Sequence, residues 1–228
     1  MSTTNTIEHD EHTQKPLPST TEKQAQNTLL IILVFVAGAV SLAIEMAASR
    51  LLAPYFGTSL FVWANIIGLI LLYLAAGYSI GGRLADRYPT SKLLYSLTLI
   101  ASLFTCLIPL IANPLLSWLL NVTTGLIPQE FYGSLLAILL LFSLPNILLG
   151  CVSPFAIRLH VQQIGTAGRN AGLLYAISTA GSIVGTFLPV LVLMPWIGTA
   201  YTFLVSGLLL LLCSLLGLVW HWLASRRQ

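Results

Sequence analysis

Seven acidic residues occur in the 228-residue chain, and one of them, Glu45, stands inside an apolar run, at the head of the stretch EMAASRLLAPYFGTSLFVW that ends at Trp63. A charged side chain near the bilayer centre costs about 2.5–3.5 kcal/mol, and less toward the edge, so a carboxylate there is a site candidate by default. Ser41, Glu45 and Ser49 follow at four-residue spacing. They share one helical stripe, which should face a bundle interior rather than lipid. Arg50 points elsewhere and reaches the headgroups; it meets Glu45 only if the helix unwinds before Pro54. As a binding group, Glu45 takes an amine or a proton, with Tyr55, Phe56 and Trp63 as cation–π walls. As a structural group, it hydrogen-bonds Asn65 or Tyr73 of the next helix and leaves the aromatics as interface anchors. Asn146, Tyr175 and Ser178 either complete a pocket with it or serve as interhelical hydrogen-bonding groups.

Other chemistry is sparse. No intramembrane HExxH, GxSxG or acidic pair is present, so neither a catalytic residue nor a cofactor is expected. Cys106, Cys151 and Cys213 lie far from any CxxC spacing and read as small packing residues. His9 and His12 sit in a polar N-terminal segment and read as solvated side chains, so no metal is expected. The net charge of +3 comes with no basic cluster interleaved with aromatics, which argues against nucleic acid as a partner.

The elements that position these residues follow from composition. The chain is 57% hydrophobic and 7% charged, with a mean hydropathy of +0.89. Such a mixture cannot coat a soluble domain. Six apolar runs are long enough to cross about 30 Å of hydrocarbon as helices: residues 29–52, 60–82, 93–112, 131–157, 171–196 and 200–222. Period-2 alternation is absent, so the class is an all-α integral membrane protein rather than a barrel. Residues 1–27 lack any run able to offset the entropy of folding and are expected to be a disordered cytoplasmic tail. Their acids, and the length of the first apolar run, argue against a signal peptide. Residues 28–223 form the transmembrane domain and 224–228 a short basic tail. The segment NPLLSWLLNVTTGLIPQE, 113–130, is the longest connection, and its first half is expected to lie along the interface as a short helix. It contains an Asn121-Val-Thr123 sequon, which carries no meaning in a bacterial protein.

Charge orients the bundle. With the N-terminus in the cytoplasm, Lys15, Lys23, Arg83, Arg87, Lys92, Arg158, Arg169, Arg226 and Arg227 all fall inside, nine of the ten basic residues. That gives N-in/C-in. Trp63, Trp118 and Trp196 then mark outer ends, and Trp220 and Trp222 an inner one.

Small residues at four-residue spacing mark contact faces between membrane helices. Gly77 and Gly81 supply one in the second span. In the fifth, Gly172, Ala176 and Ala180 supply another, with Gly181 and Gly185 beside it. Pro145 and Pro154 should kink the fourth span, freeing carbonyls at Leu141 and Gly150.

Three stretches carry a family likeness. In GGRLADR, Gly82, Asp86 and Arg87 fit the G-x-x-x-D-R inner-loop pattern of the major facilitator superfamily, where an Asp caps a helix or pairs with an Arg to latch the loop. Together with EMAASRLLAPYFGTSLFVW and GRNAGLLYAISTAGSIVGTFLPVLVLMPWIG, it resembles the membrane domain of bacterial fused facilitator/spermidine synthase-like proteins, over nearly everything after residue 28. Ser178 stands where that family is expected to have Asn. The likeness implies a half-facilitator-like three-plus-three bundle in a bacterial inner membrane and a polyamine context. Members commonly carry a soluble nucleotide-binding synthase domain as well. Its strand–helix alternation does not occur here, so its catalytic residues do not carry over.

Three functions are then open. The module anchors or serves a separately encoded, soluble aminopropyltransferase-like enzyme, which would hold any transferase activity; this is the favoured reading. Alternatively it moves polyamines or other small cations as a homodimer, each copy donating Glu45. Otherwise it is a structural or lipid-contacting bundle.

Overall fold

The computed structural model describes residues 20–160 and 167–226. The described residues fold as helices with no strand. They run as α1 (Thr20–Phe56), α2 (Leu60–Arg87), α3 (Ser91–Val122), α4 (Gln129–Gly150), α5 (Val152–His160), α6 (Ala167–Leu188), a π-helical turn (Pro189–Leu193) and α7 (Met194–Arg226). Among the described residues five helical stretches, not the six expected, are long and apolar enough to cross a membrane, and they make a multi-pass membrane protein; the fifth and sixth apolar runs fall in one stretch. The last covers residues 167–223 and is not a straight rod, because Gly198 inside it has φ 82° and ψ 170°. That backbone region is open almost only to glycine.

Three expectations about boundaries change. Residues 20–27, assigned to the tail, belong to α1. Glu22, Lys23, Gln24, Ala25 and Gln26 are all strong helix formers, and Gln26 Nε2 donates to Ser91 Oγ at 2.7 Å, tying the start of α1 to the start of α3. The interfacial helix expected after residue 112 does not form separately: α3 continues through Pro109 and Pro114 to Val122. The fourth span is interrupted once, at Cys151 between α4 and α5, while Pro145 sits within a continuous α4. His9, His12, Lys15 and Arg227 lie outside the described residues.

Helix α1 is central and touches every other helix. Its Leu33, Ile44, Ala47, Ala48 and Leu52 are fully buried, together with Phe142 of α4, Phe155 of α5 and Phe203 of α7. Where helices cross closest, glycine removes the obstacle. On α2, a Cβ at Gly77 would stand 2.8 Å from Gly150 Cα, and one at Gly81 2.6 Å from Cys151 Cα. Between α1 and α6, Gly38 meets the Ser178 backbone, Gly181 the Phe35 backbone and Gly185 the Ala39 backbone.

The packing face of α6 is therefore Gly181 and Gly185. Gly172 has open space where its Cβ would be, and Gly172 and Ala176 are exposed. Nine residues at 100° each separate Gly172 from Gly181, which sets them on opposite sides of the helix. Helices α3 and α7 pair through Tyr95 with Gly217, Ser214 Oγ donating to Thr98 Oγ1 at 2.8 Å, and Cys106 with Gly207. As α3 advances, its partners on α7 recede.

Candidate functional site

On α1 the three-residue polar stripe splits. Ser41 is buried, while Glu45 and Ser49 are half-buried on the same edge as Leu42 and Met46. The stripe thus borders the core instead of pointing into it. An ionised carboxylate cannot be satisfied among Ile44, Ala47 and Leu52, and the helix turns its small apolar side inward. Ser49 Oγ closes on its own helix, donating to Met46 O at 2.8 Å. Among the described residues the Glu45 carboxylate has neither a hydrogen bond nor an ion pair. Arg50, one residue past Ser49, is exposed.

Neither expected structural partner reaches Glu45. Asn65 Nδ2 donates to Phe131 O at 2.8 Å and to Ser134 Oγ at 2.9 Å, joining α2 to α4 near the Gly57 end. The buried Tyr73 hydroxyl has no partner. The aromatic walls are also elsewhere. Tyr55 lies about 15 Å along α1 from Glu45 at 1.5 Å per residue, and its hydroxyl donates to Asn113 Oδ1 at 3.2 Å. Phe56 is packed on Gly133. Trp63, in the first turn of α2, is at that same end of the bundle.

One turn below Glu45, a cavity of about 80 Å³ opens between α1, α2, α4, α5 and α6. Hydroxyl groups of Ser41, Tyr78, Ser153, Ser178 and Ser182 line it, with Gly38 on the wall. Ser182 Oγ donates to Gly38 O at 3.3 Å. Ser41 Oγ is buried without a partner. A polar space of this size holds about five waters. Asn146 is wholly buried on α4; its Nδ2 donates to Phe142 O at 2.8 Å and its Oδ1 is unpartnered. An unmade hydrogen bond on a buried group costs about 1–3 kcal/mol. Ser41, Tyr73 and Asn146 concentrate that cost near one level of the bundle.

The inner-loop motif residues act at the opposite end from Tyr55. Asp86 Oδ1 lies 3.4 Å from Arg158 Nε, bridging the ends of α2 and α5, with both side chains more than half exposed. Such a pair contributes about 0–1 kcal/mol. Arg87 stacks on Tyr88, 5.5 Å from its centroid. Gly82 is spacious, its nearest neighbour being Pro154 Cβ at 4.0 Å. Tyr175 is exposed and lines a groove with Tyr78, Asp86 and Arg158, away from Glu45.

The structure brings Ser41 and Ser178 onto one small cavity, leaves Glu45 one turn of α1 beyond it and outside its lining, and separates Tyr55, Trp63, Asn65 and Tyr175 from Glu45. Tyr78, Ser153 and Ser182 were not singled out from sequence; Ser182, four residues after Ser178, carried a helical-spacing signal. Among the described residues, the cavity and Glu45 offer hydroxyls and a carboxylate but no imidazole or ammonium to activate a nucleophile. No family model, curated protein or solved structure matches the chain.

Proposed function

We propose that this chain is the membrane module of a polyamine-related system in a bacterial inner membrane: a six-crossing, half-facilitator-like bundle that holds a small organic cation at Glu45. Its cytosolic face serves a separately encoded aminopropyltransferase-like enzyme. The observation that carries this reading is the half-buried Glu45 carboxylate, inside an apolar helix and, among the described residues, without a paired cation. A carboxylate kept at that depth is balanced by a proton or a ligand cation. The likeness of GGRLADR and the Gly168 to Gly198 stretch to the fused facilitator/synthase membrane domain supplies the polyamine class.

Gly198 supports the sixth crossing. Gly181 and Gly185 of α6 follow Phe35 and Ala39 of α1 in the same order, so these helices run parallel. Helix α7 runs against α3, as Tyr95–Gly217 and Cys106–Gly207 require. A reversal of the chain between α6 and α7 fits both pairings and would fall at Gly198, whose backbone is non-helical. The neighbour pattern supports three-plus-three symmetry. Exchanging the first three crossings with the last three turns α1·α6 into α2·α4, α1·α7 into α3·α4 and α1·α2 into α5·α6, and all of these pairs occur. The first two related pairs, α1·α6 and α2·α4, both pack through glycine on backbone.

Binding of labelled spermidine to the reconstituted protein tests the reading. Glu45→Gln should weaken it at least about tenfold, the effect of removing one desolvated charge pair, while the fold is retained. Equal binding by the variant defeats it. Mild-detergent pull-down should also recover the enzyme.

A second reading, transport by a homodimer, is favoured by the half-exposed edge of α1 that carries Leu42, Glu45 and Ser49. A second copy laid on this edge would enclose two carboxylates. Spermidine flux into proteoliposomes no greater than into empty vesicles removes it.

A further inference from the structure

Where α7 ends beside the start of α3, a groove of about 450 Å³ is lined by Lys92, Leu218, Val219, His221 and Trp222. It shares no residue with the cavity below Glu45. Lys92 is exposed in the first turn of α3, and Val219 and Trp222 are each about half exposed. Arg226, one turn beyond Trp222, lays its guanidinium over that indole at 3.7 Å from the centroid. Stacking holds this charge against the groove wall. Among the described residues no carboxylate lines the groove. Leu218, Val219 and Trp222 lie within one turn and make a continuous apolar wall that leads back along a helix apolar enough to cross a membrane.

This combination asks for a ligand with an anionic head and an apolar tail. Free phosphate satisfies the cations and leaves the wall wet. A zwitterionic headgroup brings its own ammonium toward Lys92 and Arg226, which repel it. We propose that the groove binds one anionic phospholipid, with its phosphate on Lys92 and His221, Arg226 beside it, and an acyl chain along Leu218, Val219 and Trp222. The site serves on whichever leaflet this end of the bundle occupies, and it stands or falls apart from the polyamine reading.

Native mass spectrometry of the full chain released from mixed phosphatidylglycerol/phosphatidylcholine nanodiscs tests it. The wild type should retain phosphatidylglycerol in preference to phosphatidylcholine. Near a membrane surface each basic residue contributes about 1 kcal/mol, or about fivefold, so Lys92→Gln and Arg226→Gln should each lower retention by about that factor. Lys92→Arg should keep it. Phosphatidylglycerol brominated on its acyl chain should quench wild-type fluorescence more than that of Trp222→Phe. Both exchanged cations are exposed, so the fold should not depend on them. Equal retention of the two lipids by the wild type, which needs no variant, overturns the proposal. So does unchanged retention in the Lys92→Gln/Arg226→Gln double variant. Displacement by millimolar glycerol phosphate would reassign the site to a soluble phosphate and equally overturn it.

Discussion

A polar side chain in a membrane helix is either tied to a neighbour or left for a ligand, and hydrogen bonds tell the two apart. Asn65 is tied, with both bonds from its amide crossing from α2 to α4. Asn65→Leu should therefore destabilise the protein by about 0.5–2 kcal/mol, the range of interhelical polar contacts in membranes, and leave spermidine binding unchanged; steric-trap unfolding and a binding isotherm measure both. Ser41 belongs to the other class, since its hydroxyl is buried without a partner. Ser41→Ala removes an unsatisfied group, so stability should hold or rise by up to about 1 kcal/mol. A loss above that would mean that Ser41 has a structural partner. Sequence spacing marked Ser41, Glu45 and Ser49 as one stripe, and they do share an edge of α1. The spacing predicts an interior-facing stripe, yet only Ser41 is buried, because a helix's periodicity is set by its own 3.6 residues and its orientation by its neighbours. For the same reason Asn65, Asn146 and Tyr175 looked equivalent as letters, though one is glue, one half-satisfied and one exposed.

Among elements, the deciding quantity is how closely two backbones approach. Gly185 has the Ala39 carbonyl carbon 2.6 Å from where a Cβ would stand, and backbone cannot step aside. Gly185→Leu should therefore cost about 1–3 kcal/mol or more by forcing α6 off α1. Gly172→Leu, with open space around it, should change unfolding by less than about 0.5 kcal/mol. Equal damage from the two would mean that the face of α6 packed on α1 has been misassigned. The four-residue rhythm of small residues was legible along α6, but its phase was not, since two such stripes half a turn apart look alike in one dimension. The glycines of α2 had no such rival, and Gly77 and Gly81 do sit on the α4–α5 junction. Boundaries were the least legible: the third apolar run closes at residue 112, yet α3 runs on through Pro114 to Val122. In a membrane helix a lost backbone bond is re-satisfied locally, and the break that proline forces in water is deferred.

For the whole molecule, the number of crossings fixes where the ends lie. Apolar run lengths separate residues 171–196 from 200–222, whereas the structure carries one helical stretch, Ala167–Leu223, with a non-helical residue inside it at Gly198. An odd number of crossings places the two termini on opposite sides of the membrane, and an even number on the same side. Nine of the ten basic residues share one end only if the chain reverses at Gly198. Replacing this glycine, held at φ 82° and ψ 170°, by Val should cost about 1–3 kcal/mol; labelling then reports on the reversal itself. Cysteine tags appended to either terminus should resist an impermeant maleimide in intact cells and react once the membrane is permeabilised. One tag reacting in intact cells would make the stretch from Ala167 to Leu223 a single crossing and take away the three-plus-three relation. Both reacting would keep the even count but turn the bundle over, moving Lys92, Arg158 and the proposed enzyme-docking face to the outside, where a cytosolic synthase cannot meet them.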